Sequence, residues 1–463
     1  MNKIFNPFFI NANLVINNDD IRNIEAFRKA VYHNIGNSYI TYAFMKLVCG
    51  GVYDAKRINN IYDYDYNNES DIDYINNECT HVIFILQDHI RAYALEFPMY
   101  LLDFLKKINK PIITISLGSN NYVNGEYDNN FISRLSREKI YFLKELSNLT
   151  NAIGVRGYRT VEVLNKLGIN NVEAVGCPSY YVRGRNRIVE KKNYDDFKLA
   201  LGGRLFNTNI ENISYILQDE LPIIELLYFK NHQLSYSFHY DIDYIALSNK
   251  RYVSFSSMED WENYLNNFTM YLGWRMHGAI VALNSGIPSI VINPDSRAAE
   301  MCELFKIPYM PHILKRPLID AKWLYDYIDL GPMNIEYNKL YDNFISWLKK
   351  FGIEKQENNF DYIKQPSIKF HDDITIKENI IHMLNYKCNI LKSNINTLND
   401  KLNNNSQILK YKDNINKLAW WIPIKKLRDH FRNKMLNTDQ TRPDQTRPDQ
   451  TRPDQTRPNY YIC

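Results

Sequence analysis

The chain has 463 residues, 45% hydrophobic and 23% charged, which gives room for two or three domains and excludes a chain disordered throughout. Its 56 basic and 52 acidic residues leave a net charge of +4, too even a balance to argue for a nucleic-acid partner. No run approaches the roughly 18–20 consecutive apolar residues of a spanning helix. The six cysteines (Cys49, Cys79, Cys177, Cys302, Cys388 and Cys463) form no CxxC pair, against a zinc site or disulfide framework.

The first residues, Met1–Pro7, lack a secretory apolar region, so a cytoplasmic protein is expected. Residues 1–185 read as an N-terminal α/β domain. Apolar runs at His81–Leu86, Pro111–Leu117, Ala152–Arg156 and Val172–Val175 alternate with helix-period segments such as Ser133–Leu149 and Thr160–Leu167, the latter stopped by Gly168. Such alternation predicts a parallel sheet covered by helices. Arg183–Asp196 is polar and reads as a linker. The apolar runs restart at Phe197–Leu201, Pro222–Phe229, Tyr252–Phe255, Met270–Gly273 and Ser289–Ile292, giving a second α/β domain over 186–352. Two such domains would leave a cleft, and ligands bind at the carboxyl ends of parallel strands.

Residues 375–436 differ. Ile381, Cys388, Ile395 and Leu402 recur every seven residues, with Leu384, Leu391 and Leu398 between them. The pattern is that of a coiled coil that could join copies of the chain, or of a long surface helix folded back on the body. Asn403–Ser406 is expected to break it. Lys410–Lys434 surrounds Trp420 and Trp421 with lysines and arginines, a composition suited to a membrane surface or to a docking helix. Residues 437–463 carry four copies of Asp-Gln-Thr-Arg-Pro, which cannot build a core and read as a disordered tail.

The strongest candidate for chemistry is Gly273-Trp274-Arg275-Met276-His277-Gly278, a strand running into a small-residue helix. Were the extended geometry to continue, Arg275 and His277 would project together near the helix amides, an arrangement that binds phosphate or carboxylate. Their other reading is a structural ion pair and a turn cap. Asp295-Ser296-Arg297, with Glu300, follows the next strand. Arg297 can serve as an anion ligand and Asp295 as a base, or both can simply cap a helix. Arg156, Gly203 with Arg204, and the loop Gly118-Ser119-Asn120 also end apolar runs. The pairs Asp63/Asp65, Asp71/Asp73 and Asp241/Asp243 follow no clear strand, so no metal site is assigned.

The chain resembles the polysaccharide pyruvyl transferase family. The matching pieces are Asn34-Ile35-Gly36-Asn37, Gly154-Val155-Arg156-Gly157, Val175-Gly176-Cys177-Pro178-Ser179, Gly273–Gly278 continuing to Pro288, and Asp295-Ser296-Arg297 with Glu300. The resemblance implies two Rossmann-like domains facing a cleft, as in GT-B glycosyltransferases. It also implies transfer of pyruvate from phosphoenolpyruvate to a sugar of a capsule or lipopolysaccharide as a ketal, without a cofactor. Arg275, Gly278, Arg297, Arg156, Gly203 and Arg204 would then bind the donor, His277 and Asp295 would act on protons, and Asn34, Asn37, Gly118, Ser119 and Asn120 would border the acceptor. Asn37 departs from the family's more usual Asp, and Cys177-Pro178-Ser179 from an acidic position. Two other readings stand beside this one: a glycosyltransferase with a nucleotide-sugar donor, and a non-catalytic capsule-assembly factor built on the coiled coil and the basic Trp segment; in each the protein is expected in the cytoplasm or at the inner face of the membrane.

Overall fold

The computed structural model describes residues 5–92, 96–123, 126–128, 130–203, 208, 210–211, 213–229, 242–292, 294–311, 318–356 and 360–420, with 425, 428–430 and 432–433. The chain divides into two compact units, Met1–Lys377 and Glu378–Cys463.

The first unit opens with β1 (Pro7–Ile10), α1 (Ile24–Val31), α2 (Ile35–Phe44), β2 (Arg57–Ile58), α3 (Glu69–Glu78), β3 (His81–Ile85) and α4 (Met99–Lys106). It continues with β4 (Ile112–Leu117), α5 (Arg137–Leu149), β5 (Ile153–Val155), α6 (Tyr158–Lys166) and β6 (Val172–Ala174). All six strands are parallel, in the order β6-β5-β4-β3-β1-β2. Helices cover both faces of such a sheet, so its strands are apolar on both sides. In β4 all six residues of Ile-Ile-Thr-Ile-Ser-Leu are buried. The helices are amphipathic to match: α1 turns Ile24, Phe27, Ala30 and Val31 inward and is capped by Asn23, whose side chain accepts from the Ala26 amide.

A second parallel six-stranded sheet follows from β7 (Leu199–Gly202), β8 (Ile213–Ile216), α7 (Leu221–Tyr228), α8 (Tyr244–Ser248), β9 (Tyr252–Val253), α9 (Met258–Leu265) and β10 (Met270–Gly273). It closes with α10 (Met276–Asn284), β11 (Ser289–Ile292), α11 (Ser296–Phe305) and β12 (Tyr309–Met310). The order is β9-β8-β7-β10-β11-β12, the 3-2-1-4-5-6 arrangement of dinucleotide-binding folds, while the first sheet follows the related 2-1-3-4-5 plan with one added strand. Both sheets are therefore Rossmann-like. The apolar run Pro222–Phe229 is not a strand: it is α7, with Pro222 in its first turn and Leu221, Ile223, Ile224, Leu226 and Leu227 buried. A short run apolar all round fits a buried helix as well as a strand.

The chain then returns to the first sheet. After α12 (Ala321–Tyr327) and α13 (Gly331–Lys349), Trp347 is buried against Gly154 of β5, where a side chain would come within 2.9 Å of the indole. Phe344 stacks on Tyr181 with ring centroids 4.8 Å apart, and the Phe351 carbonyl meets His81 Nε2 at 2.9 Å. Farther on, the Gln365 side chain donates to the Val15 carbonyl at 2.8 Å and accepts from the Met258 amide at 3.0 Å. One late segment thus ties β3 and β5 of the first sheet and links the chain after β1 to the start of α9.

Gly176, just after β6, has φ +79°, and a Cβ there would run into the Phe305 ring. Gly176→Ala is expected to cost roughly 2–5 kcal/mol, from left-handed strain and overpacking together. Chemical denaturation checks this.

The last helix, α14 (Asp373–Trp420), is continuous for 48 residues. Asn403–Ser406 does not break it: Asn and Ser weaken a helix by only a few tenths of a kcal/mol each, unlike Pro or Gly. Residues 421–424, which include Trp421, and the repeats of residues 439–458 lie outside the described residues.

Candidate functional site

Parallel strands deliver their carboxyl ends to one edge, and the gap that binds ligands opens where the strand order reverses. In the second sheet that reversal lies between β7 and β10. Gly203 follows β7 with φ +129°, and a side chain there would strike Trp274. Gly278 likewise makes room: its Cβ would lie 2.7 Å from the Gln218 amide nitrogen and press on the buried Tyr271 ring. Arg204 lies outside the described residues.

Arg275 and His277 do not project together. The extended backbone ends at Arg275 (φ −98°, ψ 121°), which is the N-cap of α10, and His277 falls in the first helical turn. Residues two apart on a helix point in different directions. Arg275 pairs with Asp219, from the loop after β8. His277 turns the other way, toward the first sheet, where its Cβ comes within 3.0 Å of where a Gly36 side chain would start. Gly36 must be small for this approach. It sits in the first turn of α2, whose N-cap Asn34 accepts from the Gly36 amide at 2.8 Å. The preceding amide, Ile35, reaches across to the Gln218 carbonyl at 3.0 Å. Asn37, one turn in, donates its amide to the Asn34 carbonyl at 3.0 Å.

His277 Nε2 lies 4.0 Å from the Cys177 thiol, which follows β6. That thiol accepts from Ser116 Oγ at 3.1 Å and Ser179 Oγ at 3.0 Å, and Ser116 in turn accepts from Arg156 Nε at 3.2 Å. This polarity runs from guanidinium to hydroxyl to sulfur and ends at the imidazole edge. His277 is only 7% exposed. Burial, with the Arg156 charge adding to it, pushes its pKa down to about 3, and the ring is neutral.

The first sheet reverses order between β1 and β3, and its carboxyl edge is unusual in backbone. Asn11, Gln87 and Ser116 have φ of 59°, 47° and 63° at the ends of neighbouring β1, β3 and β4. Ser116 sits at a shift in the β4–β5 register. Non-glycine residues in this region cost about 1–3 kcal/mol each and gather at functional sites. Beside them Asn13 is fully buried, and both its side-chain amide atoms lack a partner among the described residues. A buried amide with nothing to bond is expensive, and a polar ligand or water would satisfy it.

Asp295 is the N-cap of α11, accepting from the Ala298 amide at 3.0 Å, and also takes Arg297 Nε at 3.0 Å. Arg297 bridges on to Asp88, after β3. One face of α11 meets the first sheet. Ser296 Oγ bonds the Ser119 carbonyl at 3.2 Å and Asn120 Oδ1 at 3.1 Å, and Glu303 pairs with Arg159. Glu300 lies between these contacts, accepting from the Thr160 amide at 3.0 Å and hydroxyl at 2.8 Å. Gly118 and Gly157 line the same spot: a side chain at Gly157 would crowd Glu300, and one at Gly118 would press on the Arg156 side chain. Glu300 thereby caps α6, whose own N-cap, Gly157, has no side chain to do so.

Glu300 is 1% exposed, and burial raises its pKa to about 8 against the opposing pull of Thr160 and Arg156. Its folded pKa is above the unfolded one, so the folded state holds the proton more tightly. Stability from this group is full below about pH 4.5 and declines as pH rises through 8. Glu300→Gln should flatten that decline, read as melting temperature against pH between 5 and 8.5.

The structure therefore joins Arg156, His277, Asn34 and Gly36 at one point, and joins Arg297, Asp295 and Asp88 nearby. It places Cys177, read from sequence only as a departure from the family pattern, beside His277, and adds residues not singled out there: Ser116 beside His277, Asp219 and Gln218 beside Arg275, and Asn13 and Gln87 at the carboxyl edge of the first sheet. Asp63 and Asp65 lie outside helix and strand, Asp71 and Asp73 are on α3, and Asp243 caps α8. Among the described residues no three His, Cys, Asp or Glu side chains are grouped to hold a metal, and no helix is long and apolar enough to cross a membrane.

No curated protein matches this sequence. The crystal structure of an uncharacterized protein from Klebsiella pneumoniae subsp. pneumoniae is similar at 15% identity over 68% of this chain and 93% of that chain, with a TM-score of 0.31. The sequence pattern of the polysaccharide pyruvyl transferases matches residues 34–296, more than half of the chain. The span of that match takes in the second sheet's switch point and the Arg275–His277 turn, and the chain belongs to the polysaccharide pyruvyl transferase family.

Proposed function

We propose that the protein transfers pyruvate from phosphoenolpyruvate to two hydroxyls of a saccharide, forming a ketal in the synthesis of a capsule or lipopolysaccharide. The observation that carries this is the meeting of a neutral, buried His277 with the buried Arg156 at the carboxyl ends of two parallel sheets. In this reading residues 1–185 and 186–352 act as two domains facing a cleft. Phosphoenolpyruvate carries a carboxylate and a phosphate, and Arg156, Arg275, Arg297 and Arg204 supply cations for both. Asp219 and Asp88 hold Arg275 and Arg297 in position before the donor arrives. Gly203 and Gly278 let the backbone close on it.

The chemistry needs two proton transfers. One hydroxyl adds to C2 of the enol while C3 gains a proton and becomes a methyl group. The second hydroxyl displaces phosphate from C2, and its proton leaves with the phosphate. Neutral His277 accepts a hydroxyl proton and returns it, and Asp295 serves the second hydroxyl. Asn34, Asn37, Gly118, Ser119 and Asn120 border the acceptor, joined by Asn13 and Gln87. The protein would work in the cytoplasm, with Lys410–Lys434 touching the membrane surface where lipid-linked acceptors are found.

Phosphorus NMR tests the proposal. With phosphoenolpyruvate and a panel of lipid-linked or free saccharides, inorganic phosphate should appear in step with a pyruvate methyl signal on the sugar. Release of a nucleotide from a nucleotide sugar, with phosphoenolpyruvate untouched, would overturn it in favour of glycosyl transfer.

A further inference from the structure

Helix α14 presents apolar residues that none of the described residues covers. Ile381, Leu384, Leu391, Ile395, Leu398, Leu402 and Leu409 are between 37% and 67% exposed, and Cys388 is exposed too. They occupy alternating positions a (381, 388, 395, 402, 409) and d (384, 391, 398) of one heptad register, a single seam along the helix. The rest of this stretch is a poor helix former: residues 381–409 contain eight asparagines. Long helices of such composition are held by packing of an apolar face rather than by propensity.

We infer that this seam is covered by the same seam of a second copy of the chain, in a parallel, in-register two-stranded coiled coil. β-branched Ile at a with Leu at d is the combination that favours two parallel strands, and Ile381, Ile395 and the three leucines at d follow it. The flanking positions carry no acidic residue: Asn385, Asn394 and Asn399 are neutral amides, and Asn394 at g opposes Asn399 at e of the other copy without charge conflict. The one like-charged pairing sets Lys387 at g against Lys392 at e of the other copy. Surface repulsion of that kind is small beside an apolar seam of this length and is screened by salt. Parallel packing also brings Cys388 of both copies into one layer, within the Cα separation of roughly 4.4–6.8 Å that a disulfide spans.

Sedimentation equilibrium and mild oxidation of the full chain, with Cys463→Ser as background, test this together. The expected result is a dimer, a Cys388 cross-link on a non-reducing gel that Cys388→Ser abolishes, and association that tightens as salt rises. Cys49, Cys79, Cys177 and Cys302 are buried and do not compete. Leu391→Asp should raise the dissociation constant by at least about 100-fold, while an unchanged melting transition of the α/β unit shows that the variant is folded. A monomer at about 50 μM, a trimer or tetramer, or a dimer whose Cys388 residues do not cross-link overturns the inference.

Discussion

Replacing His277 with Gln lowers the rate of pyruvyl transfer by about 10²–10⁴-fold, the usual contribution of a positioned acid–base group, with donor binding changed only a few-fold. Glutamine keeps a polar side chain of similar reach beside Gly36 and Cys177 but cannot shuttle a proton. The pH profile separates this role from a structural one. The free imidazole is neutral down to about pH 3 because burial and Arg156 both disfavour its charge. The neutral ring is the base, so the acid limb of kcat/KM, which reports free enzyme, should not show an ordinary histidine near 6.5. A bound donor brings negative charge to the ring and raises its pKa, so the acid limb of kcat moves up relative to that of kcat/KM. Stability responds as well. A pKa depressed by folding means stability present above about 6.5 and lost as pH falls toward 3, and His277→Gln should lessen that loss.

Arg156→Met weakens phosphoenolpyruvate binding by about 10²–10³-fold, the scale expected when one partner of a buried, charge-assisted contact is removed. Titration calorimetry reads this directly. Arg156 is 6% exposed and donates to Ser116, so its guanidinium is already desolvated and oriented before any anion arrives. Methionine preserves much of the buried volume without the charge. The same substitution removes the positive neighbour that helps depress His277, so the imidazole pKa rises. It stays below the usual value because burial is the larger cause. If Arg156 were only structural, binding would change no more than stability does, and the histidine titration would move without any loss of donor affinity.

The parallel sheets were legible because strands buried on both faces are unbroken apolar runs: His81–Ile85 and Ser289–Ile292 stand out from their surroundings. Pro7–Ile10 and Ile213–Ile216 are just as buried for the most part, but one opens on a proline and the other is interrupted by Ser214 and Tyr215, so neither reads as an unbroken apolar run. The Arg275–His277 turn was found by its strand-to-helix setting, yet where the helix begins decides the direction of each side chain, and no capping side chain marks that start. Cys177 lies 100 residues from His277, and only the meeting of the two sheets brings them together. The left-handed Asn11, Gln87 and Ser116 are imposed by the sheet edge rather than by their own preferences. Gly278 was named only as a donor-binding position, and the structure adds the Tyr271 ring beneath it.

Thermal unfolding in the presence of phosphoenolpyruvate, UDP, CMP, GDP and their common sugar conjugates tests the central claim most directly. A ligand that binds only the folded state adds about 2.7 kcal/mol at 100 times its dissociation constant, a readable rise in melting temperature. The account predicts a rise with phosphoenolpyruvate alone, lost in Arg156→Met and kept in His277→Gln. A rise with a nucleotide or its sugar conjugate, and none with phosphoenolpyruvate, would contradict it.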